Sequence, residues 1–247
     1  MSEKSMVAVI TGAGKGIGRA IALRLAKDGY KIAVCYNNSK SEAEKVAESI
    51  IAAGGNARTF QLDITDSQNV NSVIADIENS FGEIAVLVNN AGIAEQLLFT
   101  DITDEMWHKM IDTNLSGSFY CTRAVLPFMI HRKMGKIINI ASIWGETGGS
   151  CEVHYSAAKA GLIGMTKALA KEVGLSGITV NCVSPGVILT DMTSHFDEAT
   201  MNELKDETSL GRIGTPEDVA GVVAFLASAD ANFITGQDIA VNGGMNI

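Results

Sequence analysis

Tyr155 and Lys159 stand four residues apart in a stretch whose apolar spacing predicts a helix, so their side chains share one face. A phenol and an ammonium so placed suit proton transfer, and a neighbouring ammonium is expected to favour phenolate, lowering the phenol from its usual pKa of about 10. Reduction of a carbonyl by hydride leaves an alkoxide, which needs a nearby acid and hydrogen-bond donors. A Tyr-x-x-x-Lys pair alone is most often a solvated surface pair. Ser142 changes that reading, because it lies just past the carboxyl end of the strand-like run Lys136–Ala141, and ligands gather at that edge of open α/β sheets.

The elements that must position these residues alternate along the chain. Strand-like runs are read at Val7–Ile10, Ile32–Tyr36, Ala57–Asp63, Ala85–Val88, Lys136–Ala141, Thr179–Val183 and Asp238–Val241. Helical spacing marks Ile17–Lys27, the face Ala43, Val46, Ala47, Ile50 and Ile51, the face Val70, Val73, Ile74 and Ile77, the long stretch Thr103–Lys133, then Tyr155–Leu175 and Pro216–Ser228. Repeated β-α units require crossovers, so the expected fold is α/β: a doubly wound parallel sheet of Rossmann type, formed by residues 1–247 as a single domain. The polar, weakly periodic segment Thr190–Gly214 departs from the series and suits a mobile flap over a site.

Between the first strand and the first helix lies Thr11-Gly12-Ala13-Gly14-Lys15-Gly16-Ile17-Gly18. Glycines there permit a tight turn and let backbone N–H groups approach a pyrophosphate at a helix N-terminus. A P-loop does not fit, since no Ser or Thr follows Lys15 and the spacing fails. The loop resembles the T-G-x-x-x-G-I-G loop of the short-chain dehydrogenases/reductases, and the resemblance extends over essentially the whole chain. Asp63, with Ile64 beside it, is similar to the family's adenine-contacting aspartate. Asn89-Asn90-Ala91-Gly92 resembles the N-N-A-G motif, which supports the sheet and lines the cofactor; Pro185-Gly186-Val187-Ile188 and Thr190 resemble the segment touching the nicotinamide end. Asn114, Ser142, Tyr155 and Lys159 match the catalytic tetrad. The resemblance implies that Ser142 polarises the carbonyl, Tyr155 donates the proton, Lys159 also holds the nicotinamide ribose, and Asn114 anchors a proton-relay water.

NAD-preferring relatives carry an acidic residue after the second strand for the ribose 2′-OH. Here that strand runs into Asn37, Asn38, Ser39 and Lys40, with no acid until Glu42. Those side chains can donate to a 2′-phosphate, and Lys15 matches the basic residue of NADPH-specific relatives. The cofactor expected is NADPH.

A net charge of -9 argues against nucleic acid as a partner. The apolar run Met6–Ile10 is too short for a signal peptide, and no stretch approaches the roughly 18 apolar residues of a membrane span. Cys35, Cys121, Cys151 and Cys182 are widely spaced and read as free thiols of a reducing compartment, so a cytoplasmic protein is expected; Cys151 could line the pocket. His108, His131 and His195 show no ligand spacing, and no metal is expected. His154 adjoins Tyr155, but helix neighbours point about 100° apart, so it is read as a satisfied or solvent-facing histidine.

For the substrate, two readings stand. The chain resembles bacterial 3-oxoacyl-[acyl-carrier-protein] reductases of fatty acid biosynthesis along its whole length, including Tyr155-Ser-Ala-Ala-Lys-Ala-Gly-Leu-Ile-Gly164 and the ending Val241-Asn-Gly-Gly-Met245. That implies an acyl carrier protein thioester, with Arg132, Lys133 and Lys171 in matching places for docking an acidic carrier. The loop Ser142-Ile-Trp-Gly-Glu-Thr-Gly-Gly-Ser-Cys-Glu-Val-His154 looks instead similar to reductases of a 5-aminopentanone group on a lysine of elongation factor P. Glu95, Glu146 and Glu152 would then set carboxylates at the pocket mouth for a cationic ketone. A non-enzymatic NADPH-binding regulator is a third class, against which the complete tetrad speaks. The family pairs two of its helices across two-fold axes, so a homotetramer is expected, with Phe119, Val125, Leu126, Phe128, Met129, Leu162, Met165 and Leu169 supplying apolar area.

Overall fold

The computed structural model describes residues 6–191, 193 and 197–245; His195 lies outside them. Seven parallel strands form one sheet: β1 (Val7–Ile10), β2 (Lys31–Tyr36), β3 (Asn56–Gln61), β4 (Ile84–Asn89), β5 (Gly135–Ile140), β6 (Ile178–Pro185) and β7 (Asp238–Val241). Their order is β3-β2-β1-β4-β5-β6-β7, so the direction of winding reverses between β1 and β4. β1 and β4 are buried throughout, as strands covered on both faces must be.

Side chains alternate across the pleat and divide the interior into two layers. Ala8 and Ile10 of β1 face one layer, with Ile21 and Leu25 of α1 (Gly16–Lys27), Val46 of α2 (Lys40–Ala52) and Val219 and Val223 of α9 (Pro216–Ala227). Val7 and Val9 face the other, with Val70 and Ile74 of α3 (Ser67–Asp76), Val125 and Met129 of α5 (Gly117–Arg132) and Val173 of α7 (Val153–Val173). The structure is the doubly wound fold read from the sequence.

Three details differ from that reading. The long helical stretch is two helices, α4 (Asp104–Ile111) and α5, joined by a π turn over Asp112–Ser116. A five-residue helix, α6 (Ile143–Thr147), follows β5; it is too short to show a period. The segment Thr190–Gly214, read as polar, weakly periodic and suited to a mobile flap, contains α8 (Glu198–Asp206), whose first turn is capped by the Asp197 carboxylate accepting from the Thr200 amide at 2.8 Å.

Candidate functional site

The carboxyl ends of β1, β4, β5 and β6 open onto one crevice at the point where the winding reverses, the place where open α/β sheets bind ligands. On the β1 side, the crevice is made of backbone. Gly12 adopts φ +64 and Gly16 φ +53, conformations that L side chains disfavour. A Cβ on Gly12 would stand 3.0 Å from Ala91 Cα, and one on Gly18 would collide with the Gly12 carbonyl and the Asn90 amide. The Asn90 side chain donates to the carbonyls of Thr11 (2.9 Å) and Gly12 (3.2 Å), and the Thr11 hydroxyl accepts from the amides of Asn90 and Ala91, each at 3.0 Å. The loops after β1 and β4 are thus tied into one unit. No side chain caps α1, whose N-terminus follows Lys15 with its first amides left for a ligand. This glycine cradle at an uncapped helix end fits a dinucleotide pyrophosphate.

Around the cradle stand the other residues expected to bind cofactor. Gly14 lies against the start of α2, where a Cβ would be 3.3 Å from Ser39 Oγ. Ser39 does not cap its own helix, and Asn37 and Asn38 are exposed beside it. Asp63 Oδ1 accepts from Thr65 N (2.9 Å) and Oγ1 (2.7 Å), which fixes the turn after β3, and Ile64 is buried under Gly117. Beyond β6, a bridge joins Ile188 to Gly214, and the Gly214 amide donates to Val187 O at 3.1 Å. Gly186 is held by its amide bond to Val241 O at 3.0 Å, and Thr190 Cγ2 comes within 3.4 Å of a Cβ placed on Gly16. Lys15 points to this segment, its ammonium 3.3 Å from Asp191 on a well-exposed surface, rather than toward Asn37–Ser39.

On the β5 side the crevice is made of side chains. Tyr155 and Lys159 share a face of α7, with Lys159 Nζ 5.5 Å from the Tyr155 ring centroid. Lys159 is 4 % exposed and donates to Ile140 O at 2.8 Å. Ser142 caps α6, accepting from the Trp144 amide at 3.2 Å, and its hydroxyl is near enough to Tyr155 to act on the phenol's pKa. Asn114 sits in the π turn, where its side chain exchanges bonds with the backbone of Ile93 (3.0 and 3.2 Å) and donates to Met110 O. A Cβ on Gly92 would collide with Asn114 Oδ1 and lie 3.6 Å from Lys159 Nζ, so Gly92, Asn114 and Lys159 meet at one point. The four residues proposed from the sequence as a tetrad therefore converge.

Their electrostatics differ from the expectation. Burial, with the nearby Glu152 carboxylate, pushes the Tyr155 phenol up to about 12, against a lowering by Ser142. The Lys159 ammonium, which donates to Ile140 O and is itself pushed down by burial to about 8, does not offset the effect of burial on the phenol. Tyr155 is a neutral phenol at neutral pH.

Other expectations are corrected. His154 is fully buried, and neither ring nitrogen has a hydrogen-bond partner among the described residues, so it is neither satisfied nor solvent-facing. Arg132 is not a free docking cation: its guanidinium pairs with Glu78 and donates to Ile84 O at 2.8 Å, leaving Lys133 and Lys171 as the exposed cations of that group. Glu146 interacts with Asp238 and Ser184 near β7, and Glu152 lies beside Tyr155. Val125, Met129 and Leu162 are fully buried within the chain and cannot supply subunit contacts.

Sequence reasoning missed a buried polar chain behind the site. Asn89 donates to Asn139 Oδ1 (2.8 Å) and Thr122 Oγ1 (3.0 Å), Asn139 donates to Thr166 Oγ1 (2.8 Å), and Thr166 touches Cys182 Sγ at 3.0 Å. Asparagines and threonines inside strands and helices otherwise apolar are the signal that could have found it. Among the described residues, no group of three or more His, Cys, Asp or Glu side chains could hold a metal ion, and no helix is long and apolar enough to cross a membrane.

Comparison with known proteins gives the same picture. Residues 12–246 match the sequence model of the family described as Enoyl-(Acyl carrier protein) reductase. A 3-oxoacyl-[acyl-carrier-protein] reductase of Staphylococcus aureus is 44% identical over 96% of this chain and 97% of its own. The enzymes of that name from Synechocystis sp. and Salmonella typhimurium are 45% and 41% identical, over 98% and 99% of this chain and 97% and 99% of theirs. Among solved structures, a putative gluconate dehydrogenase from Agrobacterium tumefaciens superposes with a TM-score of 0.94 at 31% identity, covering 97% of this chain and 95% of that one.

Proposed function

The chain belongs to the short-chain dehydrogenase/reductase family and is an oxidoreductase, and on that premise we propose that it uses NADPH to reduce the ketone of a 3-oxoacyl thioester carried on acyl carrier protein. The observation that carries this reading is the meeting of Tyr155, Ser142, Lys159 and Asn114 beside a glycine cradle. Gly12, Gly14, Gly16, Ile17 and Gly18 would hold the pyrophosphate, Asp63 and Ile64 the adenine side, Asn90, Ala91 and Gly92 the floor, and Pro185, Gly186, Val187, Ile188 and Thr190 the nicotinamide end. Bound there, NADPH supplies the hydride that becomes the new C–H bond.

The chain's own residues handle the oxygen. Ser142 Oγ already accepts from Trp144 N, so its proton is left to donate to the carbonyl oxygen and polarise it. Tyr155, protonated at neutral pH, gives its Oη proton to the developing alkoxide, so that C=O becomes CH–OH. Lys159, whose ammonium titrates near 8, supplies positive charge beside the phenolate left behind and a donor to the ribose. Asn114, held by Ile93 and Met110, would anchor the water through which the Tyr155 phenolate regains a proton from solvent. For the 2′-phosphate, the absence of a carboxylate at Asn37–Ser39 and the uncapped start of α2 favour NADPH over NADH, and Lys15, paired with Asp191 here, would have to turn from it to reach the phosphate.

NADPH oxidation with acetoacetyl-carrier thioester tests the reading. Turnover faster than with NADH, and a higher kcat/KM than for a small acetoacetyl thioester, are expected; no turnover of the carrier substrate would sink it. A second substrate, a ketone bearing an amine such as the 5-aminopentanone group on elongation factor P, is favoured by Glu152, 9 % exposed beside Tyr155 and held by Gln96 Nε2 at 3.1 Å. There Glu152→Gln would damage reduction of the amino-ketone and spare that of the thioester. Exposed Phe119 and Ile130 on α5 support a homotetramer, which light scattering at micromolar concentration would decide.

A further inference from the structure

Asn89, Asn139 and Cys182 stand in register across three neighbouring strands, Asn89 beside Asn139 and Asn139 beside Cys182. Each is buried just short of a strand end that reaches the crevice. Asn90-Ala91-Gly92 follow Asn89 directly, Ser142 stands three residues beyond Asn139, and Gly186 four beyond Cys182. Apolar residues would be ordinary here, since Leu87, Ile137 and Val180, two residues earlier on the same strands, all belong to the apolar layer. One side chain of α7 lies over the polar row. Thr166 Oγ1 accepts from Asn139 Nδ2 at 2.8 Å, donates to Leu162 O at 2.9 Å and lies 3.0 Å from Cys182 Sγ. Asn139 Oδ1 in turn accepts from Asn89 Nδ2 at 2.8 Å. Thr166 is 1 % exposed, so it reaches neither substrate nor cofactor. Yet it shares a face of α7 with Tyr155 and Lys159, eleven and seven residues before it, about three and two turns of helix.

We propose that Thr166 is a positioning residue: its hydroxyl, held on the polar row, sets the register of α7 against β5 and so fixes Tyr155 relative to Ser142. The proposal rests on the reading of Tyr155 and Ser142 as the groups that act on the substrate oxygen. Burial of an apolar helix face has no direction and survives small slides of α7 along the sheet. A hydrogen bond between two buried side chains does not. It is lost within a fraction of the roughly 1.5 Å that separates neighbouring residues along a helix, and its loss leaves a buried donor of Asn139 unpaired. Asn139 and Ser142 lie on one strand and its extension, Thr166 and Tyr155 on one helix, so the Asn139–Thr166 bond refers each reacting hydroxyl to the other. Lys159 makes a second tie, donating to Ile140 O, the residue next to Asn139. That tie cannot set the register by itself, because a lysine stem is flexible and follows its helix, whereas threonine is short and stiff at χ1. Through Asn89 the same row carries the reference on to β4 and the Asn90–Gly92 floor.

Thr166→Val keeps the shape of the side chain and removes the acceptor. Its kcat with acetoacetyl thioester is expected to fall about tenfold or more, since a misplacement on the order of 1 Å can cost about 10²-fold. KM and the NADPH Kd should stay within about twofold, and Thr166→Ser, which keeps the hydroxyl, should restore kcat to within about threefold of wild type. A merely structural role would lower the melting temperature and leave the kcat of the folded protein unchanged. Crystal structures of wild type and Thr166→Val give a readout independent of turnover: the separation of Tyr155 Oη from Ser142 Oγ is expected to change by about 0.5 Å or more. Where Thr166→Val gives no folded protein, Thr166→Ala, which leaves room for a water beside Asn139, is measured in its place with the same expectations. A kcat within about threefold of wild type, a loss of kcat matched by an equal loss of NADPH affinity, no rescue by serine, or an unchanged Oη–Oγ separation overturns the proposal. Should the wild type reduce no ketone at all, the catalytic reading fails, and the Oη–Oγ separation still decides whether Thr166 sets the register.

Discussion

The two sides of the crevice are built on opposite principles. On the β1 side, glycines with positive φ, an uncapped helix and the Asn90 bonds to two carbonyls make a surface of backbone, fixed by what cannot be added to it. On the β5 side, Tyr155, Lys159, Ser142 and Asn114 make a surface of side chains whose chemistry is set by how deeply they are buried. A mutation on the first side should act by collision and on the second by charge.

Tyr155→Phe tests the second side most severely. The ring stays and the proton is lost, so the rate of reduction should fall by about 10²–10⁴ while NADPH binding holds; residual activity above a few per cent, measured with saturating cofactor, would point to another acid. Gly18→Ala tests the first side. Its methyl must displace the Gly12 carbonyl or the Asn90 amide, with an expected loss of about 1–3 kcal/mol in stability. Cofactor affinity should fall with it, and calorimetric titration giving wild-type affinity would show that the loop yields.

Acid–base behaviour sharpens the contrast further. Reduction should decline as pH rises through about 8, where Lys159 loses its proton, by about tenfold for each further unit. Stability moves the other way. Burial lowers the folded-state value of Lys159 below its usual 10.5, so between about 8 and 10.5 the unfolded chain binds more protons and this group's contribution to stability rises with pH. A melting temperature that does not fall while kcat does would distinguish loss of the ammonium from unfolding. The smallest effect belongs to Lys15→Ala. The ammonium is exposed and shared with Asp191, so KM for NADPH should rise only a few-fold, with about 0–1 kcal/mol at stake and kcat unchanged.

The same division explains what could be read from the sequence. Thr11–Gly18 was legible because a tight strand-to-helix turn demands glycine at fixed positions, whereas Asn89–Gly92 and the full tetrad were legible through their resemblance to the family's motifs, with Tyr155 and Lys159 alone marked by lying one helical turn apart. The pKa of Tyr155 was not legible, since it depends on burial and on Glu152, which only the folded loop brings near. Arg132 looked like a helix-end cation because its partner Glu78 lies 54 residues away in sequence. α6 escaped because five residues carry no period, although Ser142 before it is an ordinary helix cap. The π turn at Asn114 escaped too, being a local change in hydrogen-bond register within residues that all favour helix.

The bonds that close the cradle have a consequence for how the protein is made. Thr11 accepts from the amide of Asn90, 79 residues on, and Tyr30, between α1 and β2, donates to Ala227 O, 197 residues on. During synthesis, the glycine loop emerges early but cannot be tied until β4 has left the ribosome. The apolar face of α1, carrying Ile21 and Leu25, waits longer still for α9 to cover it. Such distant pairings make folding slow and leave a nascent chain adhesive for most of its translation. A transcript truncated before Pro216 should therefore yield aggregate, or a client of chaperones, and not a smaller enzyme.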